Sequence, residues 1–92
     1  MGDLLMASFT VRYDAGGDVL YLSMKPAAPA WTQETEPGVL WRYDAEGGAL
    51  IGVTVVDFGE VWRGRERALA ELIAVKFGVA CDEALAALPT LQ

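Results

Sequence analysis

The chain contains no histidine, and Cys81 is its only cysteine. An intramolecular disulfide, a zinc site of thiolate or imidazole ligands, and every mechanism that needs a histidine base are therefore excluded. A cysteine without a histidine is most often a small buried apolar residue rather than a nucleophile. The sequence accordingly assigns no catalytic residue, no metal ligand and no cofactor-binding residue.

Long apolar runs are missing as well. No stretch approaches the roughly 18 apolar residues that a membrane-spanning helix needs. The opening MGDLLMASF has an acidic Asp3 and lacks the basic segment of a secretory signal. With 53% hydrophobic residues, the chain is nevertheless too apolar to be disordered. We therefore expect one cytoplasmic domain over residues 1–92 that does not enter a membrane.

Positive charge is scarce in the first two thirds of the chain. Residues 1–60 carry nine acidic and three basic side chains, a net charge of −6, whereas residues 61–92 carry four of each. Nucleic-acid binding needs clustered positive charge, and only the stretch WRGRER at residues 62–67 supplies it. The excess of acid favours a basic protein partner and argues against nucleic acid.

What the chain does have is a repeat, because RYDA occurs at residues 12–15 and again at 42–45. Around each copy, a run of alternating apolar and polar residues is followed by a β-branched and apolar run. The predicted strands are residues 9–13, 19–24, 39–43 and 49–58. Each copy therefore predicts a hairpin of strand, turn and strand.

Asp14 and Asp44 begin the two predicted turns. An aspartate carboxylate bonds nearby backbone amides, and the glycines that follow accept the positive φ of a reversal. A second interpretation stays open, in which the two carboxylates converge as a catalytic acid pair. Gly52, inside the last predicted strand, indicates a bulge or a close backbone contact.

Residues 31–36, WTQETE, predict a short edge strand between the hairpins. We expect Glu34 and Glu36 to share one face of this strand, where charge prevents edge-to-edge aggregation. The same two carboxylates are an alternative ligand pair for a hard cation.

After Phe58 the periodicity becomes helical. An apolar stripe from Leu69 to Phe77 predicts the main helix, with Gly64 as its starting cap and Gly78 as a left-handed C-cap. A second short helix begins at Asp82-Glu83 and is stopped by a proline. The fold is thus predicted as α+β. An antiparallel sheet of four to five strands, built from two similar hairpins over roughly residues 6–58, precedes one main C-terminal helix and a second short helix over residues 62–88.

The main helix is more apolar than contact with one sheet face requires. Alanines and Val75 widen its apolar stripe, and three tryptophans add large apolar area to a small chain. A monomer of this size has difficulty covering that surface. We therefore expect a homodimer in which helices or sheet edges cover one another.

Several short motifs follow one another between Tyr13 and Asp57. They are Tyr13-Asp14, Asp18-Val19-Leu20-Tyr21-Leu22, Glu34-Thr35-Glu36, Gly38-Val39, Tyr43-Asp44, Gly47, and Ile51-Gly52-Val53 with Asp57. This order resembles a bacterial family of small proteins catalogued as domain of unknown function 2283, although Thr54 stands where that family usually carries Glu. The resemblance implies antiparallel hairpins followed by a helix and no established activity. It also implies an antitoxin-like role beside a small basic toxin-like protein.

These observations favour a small dimeric protein-interaction module, antitoxin-like, that binds a basic protein partner. One alternative is a metal-dependent or acid-based enzyme that uses Asp and Glu at the hairpin turns, and an enzyme is the less favoured interpretation. Another is a DNA-contacting regulator that uses residues 62–67. The candidate partner-binding residues are Glu34, Glu36, Asp57, Trp62, Arg63 and Arg65.

Overall fold

The computed structural model describes residues 9–24 and 28–89. In these ranges the chain forms five strands followed by three helices, which confirms the predicted α+β fold. The strands are β1 (Thr10–Asp14), β2 (Val19–Ser23), β3 (Ala30–Glu36), β4 (Val39–Asp44) and β5 (Leu50–Val56). The helices are α1 (Phe58–Trp62), α2 (Glu66–Phe77) and α3 (Cys81–Ala87). The expected start of the sheet at residue 6, and residues 25–27 of the loop after β2, lie outside the described residues.

The strands form one antiparallel sheet in the order β1-β2-β5-β4-β3. The two copies of the repeat are the hairpins β1–β2 and β4–β5, as predicted. The hairpins join through their second strands, because β2 pairs with β5. β3 pairs with β4 at one edge of the sheet, so the predicted edge strand is confirmed.

Both aspartates of the repeat form their turns in the predicted way. Asp14 Oδ1 accepts a hydrogen bond from the backbone N–H of Gly16 at 3.1 Å. Asp44 Oδ1 accepts one from the backbone N–H of Glu46 at 2.9 Å. The short side chain thus takes the place of a backbone acceptor in each reversal.

The two turns lie at opposite ends of the sheet. Asp14 pairs with Val19, and Val19 with Val56, at the end where β4 begins with Val39. Asp44 is the last residue of β4. At about 3.4 Å per residue, the length of β4 alone separates the two carboxylates by roughly 17 Å. The alternative of a catalytic Asp14–Asp44 pair is therefore wrong, because the hairpins join with their turns pointing in opposite directions.

A β-bulge in β3 corrects the expectation that Glu34 and Glu36 share a face. Glu34 pairs with Leu40, but Glu36 pairs with Val39, so Thr35 is the extra residue. Directly opposed residues of two strands project to the same side of a sheet. Because Val39 is buried beneath the helices, the bulge turns Glu36 towards the helix-covered face and leaves Glu34 on the other one.

The predicted close contact at Gly52 is also present. The register shifts in the neighbouring pairing, where Arg42 is opposite Gly52 and Tyr43 is opposite Leu50. A Cβ atom at Gly52 would lie 2.8 Å from the carbonyl oxygen of Leu22. The sequence therefore uses glycine where strand β2 approaches closely.

One face of the sheet carries the core. Inward side chains of β2, β4 and β5 pack against the helices and are almost fully buried. The core includes Leu20, Leu22, Val39, Trp41, Val53 and Val55 from the sheet and Phe58, Trp62, Leu69 and Ile73 from the helices. Each such side chain contributes about 1.5–3 kcal/mol relative to an exposed one. Among residues 9–24 and 28–89, all three helices contribute to this core and none covers the opposite face of the sheet, which we call the open face.

The helical part begins at Phe58 rather than at residue 62, because the five-residue helix α1 follows β5 directly. Gly78 has φ 71° and forms the predicted C-cap of α2. Gly64 lies one residue before the observed N-cap, Arg65, so its predicted capping position is wrong by one residue. Helix α3 begins at Cys81 and ends before Pro89. Within residues 9–24 and 28–89, no helix is long and apolar enough to cross a membrane.

Candidate functional site

Three of the predicted partner-binding residues border the turn between β3 and β4. Glu34 Oε2 accepts a hydrogen bond from the backbone N–H of Gly38 at 2.7 Å. The carbonyl of Gly38 in turn accepts one from the backbone N–H of Val56, also at 2.7 Å, and Asp57 follows Val56 in the chain. Glu36 precedes the same turn. We call Glu34, Glu36 and Asp57, which are all exposed, the acidic corner.

The other three predicted residues belong to α1 and the loop that follows it. Trp62 is 6% exposed and lies in the core, so most of its ring is not available to a partner. The guanidinium of Arg65 lies 4.8 Å from the centroid of the Trp62 ring. Arg63 and Arg65 are exposed. The structure therefore separates the six candidates into an acidic corner and an α1 loop whose tryptophan is structural.

The basic stretch at residues 62–67 is largely engaged in intramolecular contacts. Arg65 Nη1 lies 3.5 Å from the carbonyl oxygen of Val61. Arg67 Nη1 lies 3.7 Å from Cys81 Sγ. Arg63 lies close to Asp18, since a Cβ built at Gly59 would be within 3.3 Å of both side chains. Each of these three exposed arginines therefore lies near a group of its own chain.

Sequence reasoning missed Asp18, which joins the first hairpin to α1. Its Oδ1 accepts hydrogen bonds from the Tyr13 hydroxyl at 2.6 Å and from the backbone N–H of Gly59 at 2.7 Å. Its Oδ2 accepts one from the backbone N–H of Glu60 at 3.1 Å. The first N–H groups of a helix have no partner within the helix, and here a residue of a distant turn supplies it.

The same contacts change the acidity of both side chains. The hydrogen bond from Tyr13, followed by that from Gly59, lowers the pKa of the Asp18 carboxyl. The hydrogen bond to Asp18 raises the pKa of the Tyr13 hydroxyl. Asp18 therefore stays ionised as an acceptor, and Tyr13 stays protonated as a donor. This role is structural, because the carboxylate is occupied by three donors.

A signal for Asp18 was present in the repeat. Asp18 corresponds to Gly48 in the second copy, and both adopt a left-handed conformation, with φ 57° and 77°. Glycine is the ordinary residue for that conformation, whereas aspartate adopts it less readily. An aspartate in the place of the glycine indicates that its carboxylate is required, here by α1.

An apolar groove lies between α2 and the β3–β4 hairpin, and Glu36 of the acidic corner is among its lining residues. It has a volume of about 420 Å³. Its lining comprises Thr35, Glu36, Trp41, Ala68, Glu71, Leu72, Val75 and Lys76. Val75 is 83% exposed at its margin. Lys76 Nζ lies 5.3 Å from the centroid of the Trp41 ring, across the floor of the groove.

The acidic side chains of the described residues are not gathered into a metal centre. Among residues 9–24 and 28–89, no group of three or more Cys, Asp or Glu side chains is placed to hold a metal ion. The bulge also turns Glu34 and Glu36 to different faces of β3. The alternative of a two-glutamate cation site on one strand face therefore lacks its geometry.

A sequence model of a family described as a protein of unknown function (DUF2283) matches residues 10–58, just over half of the chain. The chain belongs to this family. The DUF2283 region spans the whole sheet and ends at the first residue of α1, so it includes Tyr13 and Asp18 but not the remainder of the helices. No curated protein and no solved structure matches the chain significantly.

Proposed function

We propose that the protein is a protein-interaction module that forms a homodimer through α2 and the adjoining edge strand β3. The observation that carries this proposal is Val75, which at 83% is the most exposed large apolar side chain among the described residues. It lies beside the apolar groove rather than alone, and an apolar surface next to a groove is typical of protein contacts.

A second copy of the chain suits this surface. Ala68, Leu72 and Val75 supply apolar contact area on α2. Glu71 and Lys76 provide charges of opposite sign on the same helix, so a two-fold related copy can pair each with the other. The free edge of β3 extends the surface towards the area of about 800 Å² per partner that stable interfaces bury.

The acidic corner supports a basic protein as a further partner. Glu34 and Glu36 of β3 and Asp57, which follows β5, border the same turn at Gly38. Complementary charge of this kind accelerates association with a basic surface. An antitoxin-like role, in which the module masks a small basic protein, is the form of this proposal that the family resemblance favours.

The dimer proposal is tested by sedimentation of the Val75→Lys variant. Lysine has a higher helix propensity than valine, and the new ammonium lies four residues after Glu71, a favourable spacing for an ion pair. The monomer is therefore expected to stay folded, whereas burial of the charge opposes dimerisation. Wild type is expected to sediment as a dimer and the variant as a monomer.

Val61→Lys is the matched control. Val61 is 39% exposed on α1 and does not line the groove. The Val61→Lys substitution is expected to leave the dimer intact. A monomeric wild type at high protein concentration, or a dimer that Val75→Lys does not weaken, would overturn the proposal.

A further inference from the structure

The arginines of both RYDA copies project from the open face of the sheet. Arg12 is opposite Tyr21, which is opposite Thr54. Arg42 is opposite Gly52, which is opposite Ser23. The turns explain the aspartates of the repeat, but they give no reason for an arginine at the same place in each copy.

The two arginines line one cavity on this face. Its volume is about 300 Å³. The lining comprises Thr10, Arg12, Tyr21, Leu22, Ser23, Arg42, Val53 and Thr54. It therefore contains two cations and several hydroxyl groups, and no acidic residue is among these lining residues. This composition is unusual for a chain of net charge −6.

Local contacts hold each guanidinium in place. The guanidinium carbon of Arg12 lies 4.3 Å from the centroid of the Tyr21 ring. Arg42 Nη1 lies 3.5 Å from Ser23 Oγ, and its Nη2 donates to the carbonyl of Ala28 at 3.3 Å. A guanidinium has five N–H donors, so these contacts leave several donors for a ligand.

Gly52 lets Arg42 lie flat across the middle of the sheet. A Cβ atom at this position would be 3.2 Å from Arg42 Nη1 as well as 2.8 Å from the Leu22 carbonyl oxygen. The missing side chain thus brings the arginine of the second hairpin towards β2. Arg12 leans over the same strand from the other side. The two guanidinium groups approach the cavity from opposite sides.

Acidic side chains near this face interact with their own turns. Asp14 accepts hydrogen bonds from the backbone of Gly16 and Gly17. Glu34 accepts one from the backbone of Gly38. Their carboxylates are directed to the ends of the sheet, whereas the guanidinium groups remain over its centre. The described residues that line the cavity therefore carry two positive charges and no negative charge.

We propose that this cavity binds a small molecule through a phosphate group held between Arg12 and Arg42. Planar guanidinium forks match phosphate oxygens, and a phosphate has enough terminal oxygens to accept from two forks and a hydroxyl together. The hydroxyls of Thr10, Ser23 and Thr54 supply further donors. This site lies on the opposite face from the α2 groove and does not depend on dimerisation.

The test is a titration of the full chain, followed by the backbone amide signals in NMR. The probes are inorganic phosphate, phenyl phosphate and, as a carboxylate comparison, acetate. Saturable shifts at Tyr21, Ser23, Gly52 and Thr54 are expected with both phosphates. Equal affinity for the two identifies inorganic phosphate as sufficient, and tighter binding of phenyl phosphate identifies an ester as the ligand. Both results support the site.

Variants separate the site from general charge. Arg42→Gln and Arg12→Gln are each expected to weaken phosphate binding about tenfold or more. Arg42→Lys keeps the charge but loses the fork, and an intermediate loss is expected. Arg67→Gln, which removes an equal charge from α2, is expected to leave the affinity unchanged.

Several results would overturn the proposal. They are the absence of saturable shifts in the wild-type protein, acetate binding that is as tight as phosphate binding, and shifts confined to residues 63–67. If Arg67→Gln and Arg42→Gln weakened phosphate binding equally, the binding would be explained by the net charge of the protein rather than by this cavity. An amide spectrum of each unliganded variant that matches the wild-type spectrum shows that the variant is folded, so that a loss of affinity reflects the site itself.

Discussion

The carboxylate of Asp18 accepts a hydrogen bond of 2.7 Å from the backbone N–H of Gly59, 41 residues further along the chain. This contact attaches the turn of the first hairpin to the beginning of α1. The contact thus links the sheet to the helical layer. Asp18 lies within the DUF2283 match, whereas Gly59 lies just outside it, because the matched residues end at Phe58.

Replacement of Asp18 by glycine is expected to destabilise the fold. Glycine accepts the left-handed conformation, as Gly48 does in the second copy, so the change removes the carboxylate without adding backbone strain. The first turn of α1 then loses its acceptor, and Tyr13 loses its partner. We expect the Tm to fall by about 5 °C or more. Asp18→Asn keeps one acceptor oxygen, so its Tm is expected to fall by less. If Asp18→Gly and wild type had the same Tm, a stabilising role of Asp18 as the cap of α1 would be excluded.

The stability supplied by Asp18 should depend on pH in one direction. Its pKa in the folded protein lies below the ordinary value of 3.8, because Tyr13 and the amides of α1 stabilise the carboxylate. The contribution is therefore fully present above pH 3.8 and is lost as the pH falls through the folded pKa. Thermal melts of wild type and Asp18→Asn should differ by a constant amount at neutral pH and converge in acid. A difference that grows in acid would contradict this assignment.

Tyr13 gives the opposite dependence at high pH. Its pKa is raised above the ordinary value of 10.0, chiefly by the hydrogen bond that its hydroxyl donates to Asp18. The stabilisation is present below pH 10.0 and is lost as the pH rises through the folded pKa. Comparison of wild type with Tyr13→Phe across this range measures it. Absorbance at the tyrosinate band, with Tyr13→Phe as the reference, reports the raised pKa directly.

Gly52→Ala is expected to destabilise the protein by about 1–3 kcal/mol. The added Cβ would lie 2.8 Å from a backbone carbonyl oxygen of β2, which cannot move without disturbing the central pairing of the sheet. Gly47→Ala is the control, since a Cβ there meets nothing within 4 Å and no positive φ is required. Its effect should stay within about 0.5 kcal/mol, as for other surface changes. Urea denaturation of both variants measures the difference.

The hairpins could be predicted because their signals are local. Alternation of side chains and an Asp-Gly turn lie within a dozen residues, and the structure confirms both copies. The bulge at Thr35 was missed, since a run of polar residues on an edge strand does not show where the alternation slips. Helix α1 was missed because five residues are too few to show a period.

The candidate site could be predicted only in part, because contacts between distant parts of the sequence assemble it. The acidic corner combines Glu34 and Glu36 of β3 with Asp57, which follows β5, and these residues come together only through the pairing of β4 with both strands. The sequence supplied the acids but not their convergence around Gly38. Trp62 is a predicted partner-binding residue that the structure places in the core. Its burial depends on tertiary packing within the hydrophobic core, which no local sequence pattern reports.

The acidic corner provides the test of a basic partner. Glu36→Gln and Asp57→Asn remove two charges while they retain side-chain shape, and asparagine adopts the left-handed conformation of Asp57 at φ 56°. Each lost charge is expected to weaken a basic partner about two- to fivefold at low salt. Glu46→Gln removes an equal charge from the turn at the other end of the sheet and is expected to have no effect. Quantitative capture of a basic protein from the native host, at low and at high salt, compares these variants. If Glu46→Gln weakened capture as much as Glu36→Gln and Asp57→Asn do, or if the captured protein were acidic, the acidic corner would not be the binding surface.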